Sequence, residues 1–399
     1  MHINRRTNRP LFAARRSRRT GCIPFMIVLT LMIGFVVVSR DWIANWLLKN
    51  PQTTHSISRA EAAFANGDLD TTIEQARHVW EAEPDNADAL ILLVRALVYR
   101  SYTDYNNAQD RQRALQLTTG AYGQPILRTR VQGIHAFALQ ANEQSADATR
   151  MASAAIQREY DNMPARVAQA FGYAQQGLFD AALREARTAV EIAQSTGSPW
   201  VMDAYRTMAV ILGDMGRYNE ATEAVNQAIA LNRRMIPLYF EQALYAMQVS
   251  NTNNATASYF QVIALDENNA KAHLRLCEIS IGLREREAAV NYCTKATELA
   301  PAWSDAWYQL GREFFLEGSL TKARDALGRC TTLQTLQNMP IEERRFECWY
   351  LQGQAAEALG DCDTLVPLYN QFQAMAAASN IPQTWTYPPE GPPRCVPVS

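Results

Sequence analysis

"SDAWYQLGREFFLEGSLTKARDALGRC", residues 304–330, decides the fold. Trp307, Leu310, Gly311 and Phe314 recur at the three- and four-residue spacing of one helix face, and Gly318 is placed to end that helix. Ala323, Leu327 and Cys330 then line a second helix, so the stretch reads as an antiparallel pair. Glycine at 311 and alanine at 323 let the two axes approach closely, while Trp307 fills the wedge toward a neighbouring pair.

A step of 34 residues toward the N-terminus repeats the pattern. Leu276 falls under Leu310, Ala289 under Ala323 and Ala296 under Cys330, with Pro301 closing the unit. Two further steps place Ala255 and Val262, then Ala221 and Ala228, at the same offsets, with Tyr239, Tyr259 and Tyr205 in the large-residue slots. Unit starts fall at Thr53, Ala87, Thr129, Met163, Met202, Ile236, Ala270, Ser304 and Phe346. Three intervals exceed the period, around "SYTDYNNAQD", "QSTGSPW" and "QNMPIEERRF", where loops between helices grow. Two units depart from the pattern: Thr72 stands where a small alanine is expected, and "VSNTNNAT" lacks the turn glycine.

The period and its aromatic, Leu-Gly, Tyr, Ala and Pro positions resemble the tetratricopeptide repeat family. The resemblance implies an all-α solenoid, antiparallel helix pairs stacked into a right-handed superhelix, with a concave binding surface built mainly from first helices. No unit buries its apolar face alone, so stability comes from stacking. The predicted organisation is a basic cytoplasmic arm (1–21), a transmembrane helix (22–39), a juxtamembrane linker (40–52), a solenoid of about nine units (53–380) and a proline-rich tail (381–399).

The membrane segment follows from charge. Seven arginines and no acidic residue precede the uncharged run of twenty residues from Thr20 to Ser39, long enough to span a bilayer core. Clusters of this kind stay inside during insertion, which places the arm in the cytoplasm and the solenoid outside, in a cell envelope. Trp42 and Trp46 suit the outer headgroup layer. A cleaved signal peptide is the competing reading, although the run exceeds the usual apolar region and no A-x-A-like site follows. Both readings export the same domain. With the arm set aside, 31 basic residues face 40 acidic ones, a formal charge of −9 that offers no footprint for nucleic acid.

Cysteine usage bears on the same address. Cys277, Cys293, Cys330, Cys348, Cys362 and Cys395 all lie beyond residue 270, and only Cys22 lies before it. In the repeat register Cys277 faces Cys293, Cys330 neighbours Cys348, and Cys362 is within reach of the tail at Cys395, as an oxidising compartment permits. Buried reduced cysteine remains open for each, and for Cys277 and Cys293 a metal with His273 remains a third alternative, lacking a clear fourth ligand. The tail, with six prolines in residues 381–399, is extended unless a Cys362–Cys395 bond folds it back as a cap.

No catalytic signature is found: the chain lacks G-x-S-x-G, H-E-x-x-H, a Walker-type loop and G-x-G-x-x-G. The five histidines are scattered, and His78 and His135 read as helix-surface residues. No enzyme activity, cofactor, metal or small-molecule substrate is expected, and the predicted partners are proteins. A two-carboxylate clamp finds basic residues at Arg206, Lys271 and Arg275, but Val210 and Glu241 stand where asparagine is needed. The concave face is instead predicted to present Arg206, Phe240, Arg275, Tyr308, Arg312 and Tyr350 to an extended peptide or a partner helix. An alternative role is to guide a polysaccharide or peptidoglycan chain for a separate enzyme, for which an aromatic row at Tyr308, Phe315 and Tyr350 is the supporting feature.

Overall fold

The computed structural model describes residues 57–379 together with 382, 385–388, 392 and 395. The expected cytoplasmic arm, the membrane segment at 22–39, Trp42, Trp46 and the start of the first unit at Thr53 lie outside the described residues. Among the described residues no helix is long and apolar enough to cross a membrane.

Every regular element described is helical. A helical segment over residues 57–65 (α1) pairs with α2 (Leu69–Ala82), and α3 (Ala87–Arg100) pairs with α4 (Gln109–Tyr122). The next pairs are α5 (Arg128–Ala141) with α6 (Ser145–Arg158), α7 (Met163–Gln175) with α8 (Phe179–Thr196), and α9 (Val201–Asp214) with α10 (Tyr218–Leu231). Then follow α11 (Ile236–Gln248) with α12 (Thr252–Leu265), α13 (Ala270–Gly282) with α14 (Arg286–Leu299), α15 (Ser304–Glu317) with α16 (Leu320–Leu336), and α17 (Phe346–Leu359) with α18 (Cys362–Ala378). The second and third long intervals are absorbed by extra helical turns in α8 and α16 together with a short 3₁₀ turn, Ile341–Glu343.

Local chemistry sets these boundaries. Asn86, Asn162 and Asn269 each accept the N–H three residues on, which satisfies a donor left over at the start of α3, α7 and α13. Gly318 and Gly360 take left-handed backbone to end α15 and α17. In the turn that lacks glycine, Ser250 itself adopts a φ of +58°. Thr72 fits its small-residue slot by turning its hydroxyl onto the Asp68 carbonyl at 2.6 Å. The close approach at Gly311 is real, since a Cβ there would stand 2.6 Å from Leu327 Cγ.

The first helices of the early pairs pack directly on one another, α5 on α3 and α7, and α7 on α9. As a result α3 and α5 bury eleven of fourteen residues each, whereas α15 buries five. One continuous apolar core runs from Ala60 to Tyr245. The coil also closes on itself. Arg95 of α3 forms a buried ion pair with Asp203 of α9, donates to the Pro199 carbonyl at 2.9 Å, and lies between the rings of Phe64 and Trp200. Asn232, after α10, donates to the Phe64 carbonyl at 3.1 Å.

In the later pairs Cys277 is joined to Cys293, Cys330 to Cys348 and Cys362 to Cys395, with Cα separations of 5.2, 6.1 and 5.5 Å. These are ordinary disulfide spacings. His273, which entered the metal alternative, turns Nε2 to the Glu267 carbonyl at 3.1 Å. The described part of the tail folds back on the last pair. Trp385, 3% exposed, packs against Tyr350, Tyr369 and Phe372 and occupies the space that a side chain at 353 would fill.

Candidate functional site

The first long interval builds the centre of the site. Residues 101–108, with a single 3₁₀ turn at Tyr105–Asn107, cross from the end of α3 to the N-terminal turn of α13. The Thr103 carbonyl accepts from Asn269 Nδ2 at 3.1 Å, and the Tyr102 carbonyl accepts from Lys271 Nζ at 2.9 Å. The Asp104 carboxylate accepts from the Ala270 and Lys271 N–H groups at 3.3 Å each. Tyr105 stacks on Trp303 with ring centroids 4.8 Å apart and planes 3° from parallel. This interval is therefore a strap joining the second repeat to the seventh and eighth.

Two cavities flank the strap at Tyr102. One, of about 490 Å³, is lined by Phe240, Leu244, Met247, Lys271, Arg275 and Ile279 among others. The second, of about 570 Å³, has walls from Phe137, Phe171, Val210, Asp214 and Tyr245. They share Tyr102, Glu241 and Leu244. Leu244 is 51% and Met247 40% exposed, so the floor of the first cavity presents apolar surface to solvent.

The charges are arranged around one buried pair. Arg206, only 8% exposed, donates from Nε to Glu241 Oε1 at 2.7 Å and lies over the rings of Tyr99 and Tyr102. Burial opposes its charge most strongly, but Glu241 together with Tyr99 and Tyr102 outweighs that and holds the guanidinium above its ordinary value. Burial pushes the Glu241 carboxyl up against the pull of Arg206, and its Oε2 has no hydrogen-bond partner among the described residues. Lys271 rests over the Phe240 ring at 4.2 Å; burial and then the neighbouring Arg275 push it down to about 8. Asp104 is held above the usual carboxylate range by burial.

The residues predicted from sequence divide into three fates. Phe240 and Arg275 come together at the first cavity, where Arg275 also pairs with Glu278 at 2.5 Å. Arg206 lines the second cavity, where Glu241, one helix pair later, holds its guanidinium in a buried ion pair. The third group is scattered: Tyr308 lies under the Arg345 guanidinium at 4.5 Å, and Tyr350 is covered by Trp385. Arg312 makes no ion pair among the described residues and stays half-buried. His135 is buried rather than on a surface, with Nδ1 3.0 Å from Thr118 Oγ1. Sequence reasoning missed Leu244, Met247 and the strap; two tyrosines flanking an aspartate in a non-periodic insertion were the available signal.

Comparison with known proteins agrees with this geometry. Residues 164–234 match the family model for the tetratricopeptide repeat. No curated protein matches the chain. The crystal structure of the APC/C hetero-tetramer Cut9–Hcn1 is similar over 78% of this chain and 58% of that one, at 15% identity and a TM-score of 0.51. This chain thus spans less than two thirds of that structure's length. The C-terminal part of a TPR repeat-containing protein from Cytophaga hutchinsonii is similar over 61% of this chain and 95% of that one, at 14% identity and a TM-score of 0.50. At such identities the likeness is one of fold. The described residues thus form an all-α solenoid of stacked helix pairs, of which residues 164–234 match the tetratricopeptide repeat.

Proposed function

We propose that this chain is a protein-binding scaffold, tethered by residues 22–39 and holding its solenoid outside the cytoplasmic membrane, with no turnover of its own. The observation that carries the binding role is the pair of joined cavities on the inner face, where exposed Leu244 and Met247 stand beside Lys271, Arg275 and Asp214. Apolar notches with alternating charge suit an extended peptide or an amphipathic helix. The arginine arm and three cysteine pairs at bonding distance support the extracytoplasmic address. The similar structure is that of a hetero-tetramer, Cut9–Hcn1, which accords with a binding role for this type of fold. Guidance of a glycan chain has less support, because Tyr308 lies under the Arg345 guanidinium and Tyr350 packs edge-on against Trp385, which leaves only Phe315 of the predicted row without such a contact among the described residues.

A photo-crosslinker placed at Leu244 or Met247 in cells should capture a discrete protein, and one placed at the exposed Leu336 should not. Equal labelling from both positions, or none, would sink the binding role. Alkylation of native membranes before reduction should find the six late cysteines protected. Free thiols at all six would move the solenoid to the cytoplasm.

A further inference from the structure

The strap meets the solenoid as a bound peptide would. Its contacts to the later repeats run through two carbonyls and one carboxylate at the start of α13 and one ring stacked on Trp303 before α15, while the Tyr102 ring packs against the edge of the early core. All four residues from Tyr102 to Tyr105 are half-buried, and of these only Tyr102 packs against the core, so lifting Thr103, Asp104 and Tyr105 uncovers little of it. The carboxylate sits where a helix start offers unpaired N–H groups and positive potential. Lys271 adds a cation on the same side. The cavity next to Tyr102 stays open beside the strap, with Leu244, Met247 and Ile279 in its wall.

We propose that the strap is a built-in ligand, and that the surface formed by Asn269–Lys271, Phe240 and Trp303 takes an extended partner segment of the same chemistry. That segment carries an aromatic residue, one spacer, an aspartate and a second aromatic residue, preceded by an apolar side chain for the cavity that the strap leaves empty. The partner displaces the strap. A tethered segment competes at an effective concentration of roughly millimolar, so a free copy of the strap alone binds poorly to the intact chain. A partner that also fills the cavity gains the apolar contact the strap lacks and overcomes this handicap. The inference rests on the protein-binding role proposed above and names its partner's chemistry.

The test uses the full chain in detergent micelles and a fluorescent peptide with the sequence of residues 100–108, read by anisotropy. Asp104→Ala with Tyr105→Ala weakens the strap and should raise affinity for the peptide at least tenfold over the unaltered chain. Trp303→Ala in that background should reverse most of the gain. Adding a leucine before the first tyrosine of the peptide should tighten binding further. Equal affinity for both chains, or no binding to either, overturns the proposal. Loss of the cooperative melt in the double variant also overturns it, because the strap is then a structural tie rather than a displaceable ligand. Crosslinked partners that the peptide fails to displace would refute this inference and leave the scaffold role standing. Peptide binding without any partner in cells would do the reverse.

Discussion

The first five helix pairs of the solenoid and the last three are held together in different ways. From α1 to α10 one apolar core is continuous, the first helices pack on each other, and the coil closes through Arg95 and Asp203. From α13 onward the apolar clusters are small and separate, and each of the last three helix pairs holds or shares a disulfide. A solenoid that coils back on itself gains long-range contacts that an open array lacks. Where the coil opens, covalent links replace the missing neighbours, and the folded tail covers the final pair.

The comparison is broken most severely at Arg95. Arg95→Ala leaves the Asp203 carboxylate, 2% exposed, buried without its partner and removes the guanidinium from between Phe64 and Trp200. Such a loss costs about 3–5 kcal/mol. Urea unfolding should show the early repeats melting first, the reverse of the expected order for the unaltered chain when reduced. An unchanged midpoint would mean that closure contributes nothing and that the early core stands alone.

Cys277→Ala with Cys293→Ala attacks the other side. Removing a crosslink of this loop length costs roughly 3 kcal/mol in the chain-entropy model. Hydrogen exchange should quicken in α13 and α14 and leave α3 to α7 as they were. A uniform change over the whole chain would show that the two ends form one cooperative unit, and the contrast drawn above would collapse.

These two cases also show how much the sequence made legible. The helix pairs were readable because their small residues recur every 34 positions: Ala87, Met163, Ile236, Ala270, Ser304 and Phe346 each begin a helix. Arg95 and Asp203 are 108 residues apart, and no local pattern links them. Glu241 was read only as standing where a clamp needs asparagine, whereas Arg206 on the preceding first helix pairs with it; opposite charges one repeat apart on the same helix face were the missed cue. The strap was invisible for a physical reason. An insertion breaks the period, so nothing in the sequence says whether it loops outward or returns across the inner face.

Lys271 sharpens the comparison where the two regions meet. Its folded value, about 8, lies below its ordinary 10.5, so between these limits the unfolded chain holds a proton that the folded chain has released. Stability should therefore rise with pH across that window, and the cost of keeping Lys271 charged is full below about 8. Lys271→Met should flatten the slope between about pH 8 and 10.5, measured from urea midpoints. A slope that survives the substitution would assign the effect to another group.

The smallest effect is expected at Arg312, on α15 in the open region. It makes no ion pair among the described residues, so Arg312→Ala removes no stabilising partner and strands no buried charge. Removing a half-buried side chain without such a partner should cost little more than the roughly 0.5 kcal/mol of an ordinary surface change. The melting temperature should stay put, and any loss should appear only in the yield of crosslinked partner from Leu244 or Met247. If the substitution instead destabilises the late repeats by more than that, Arg312 is part of their packing. The open region would then depend on side-chain contacts as the early core does, with its disulfides in a secondary role.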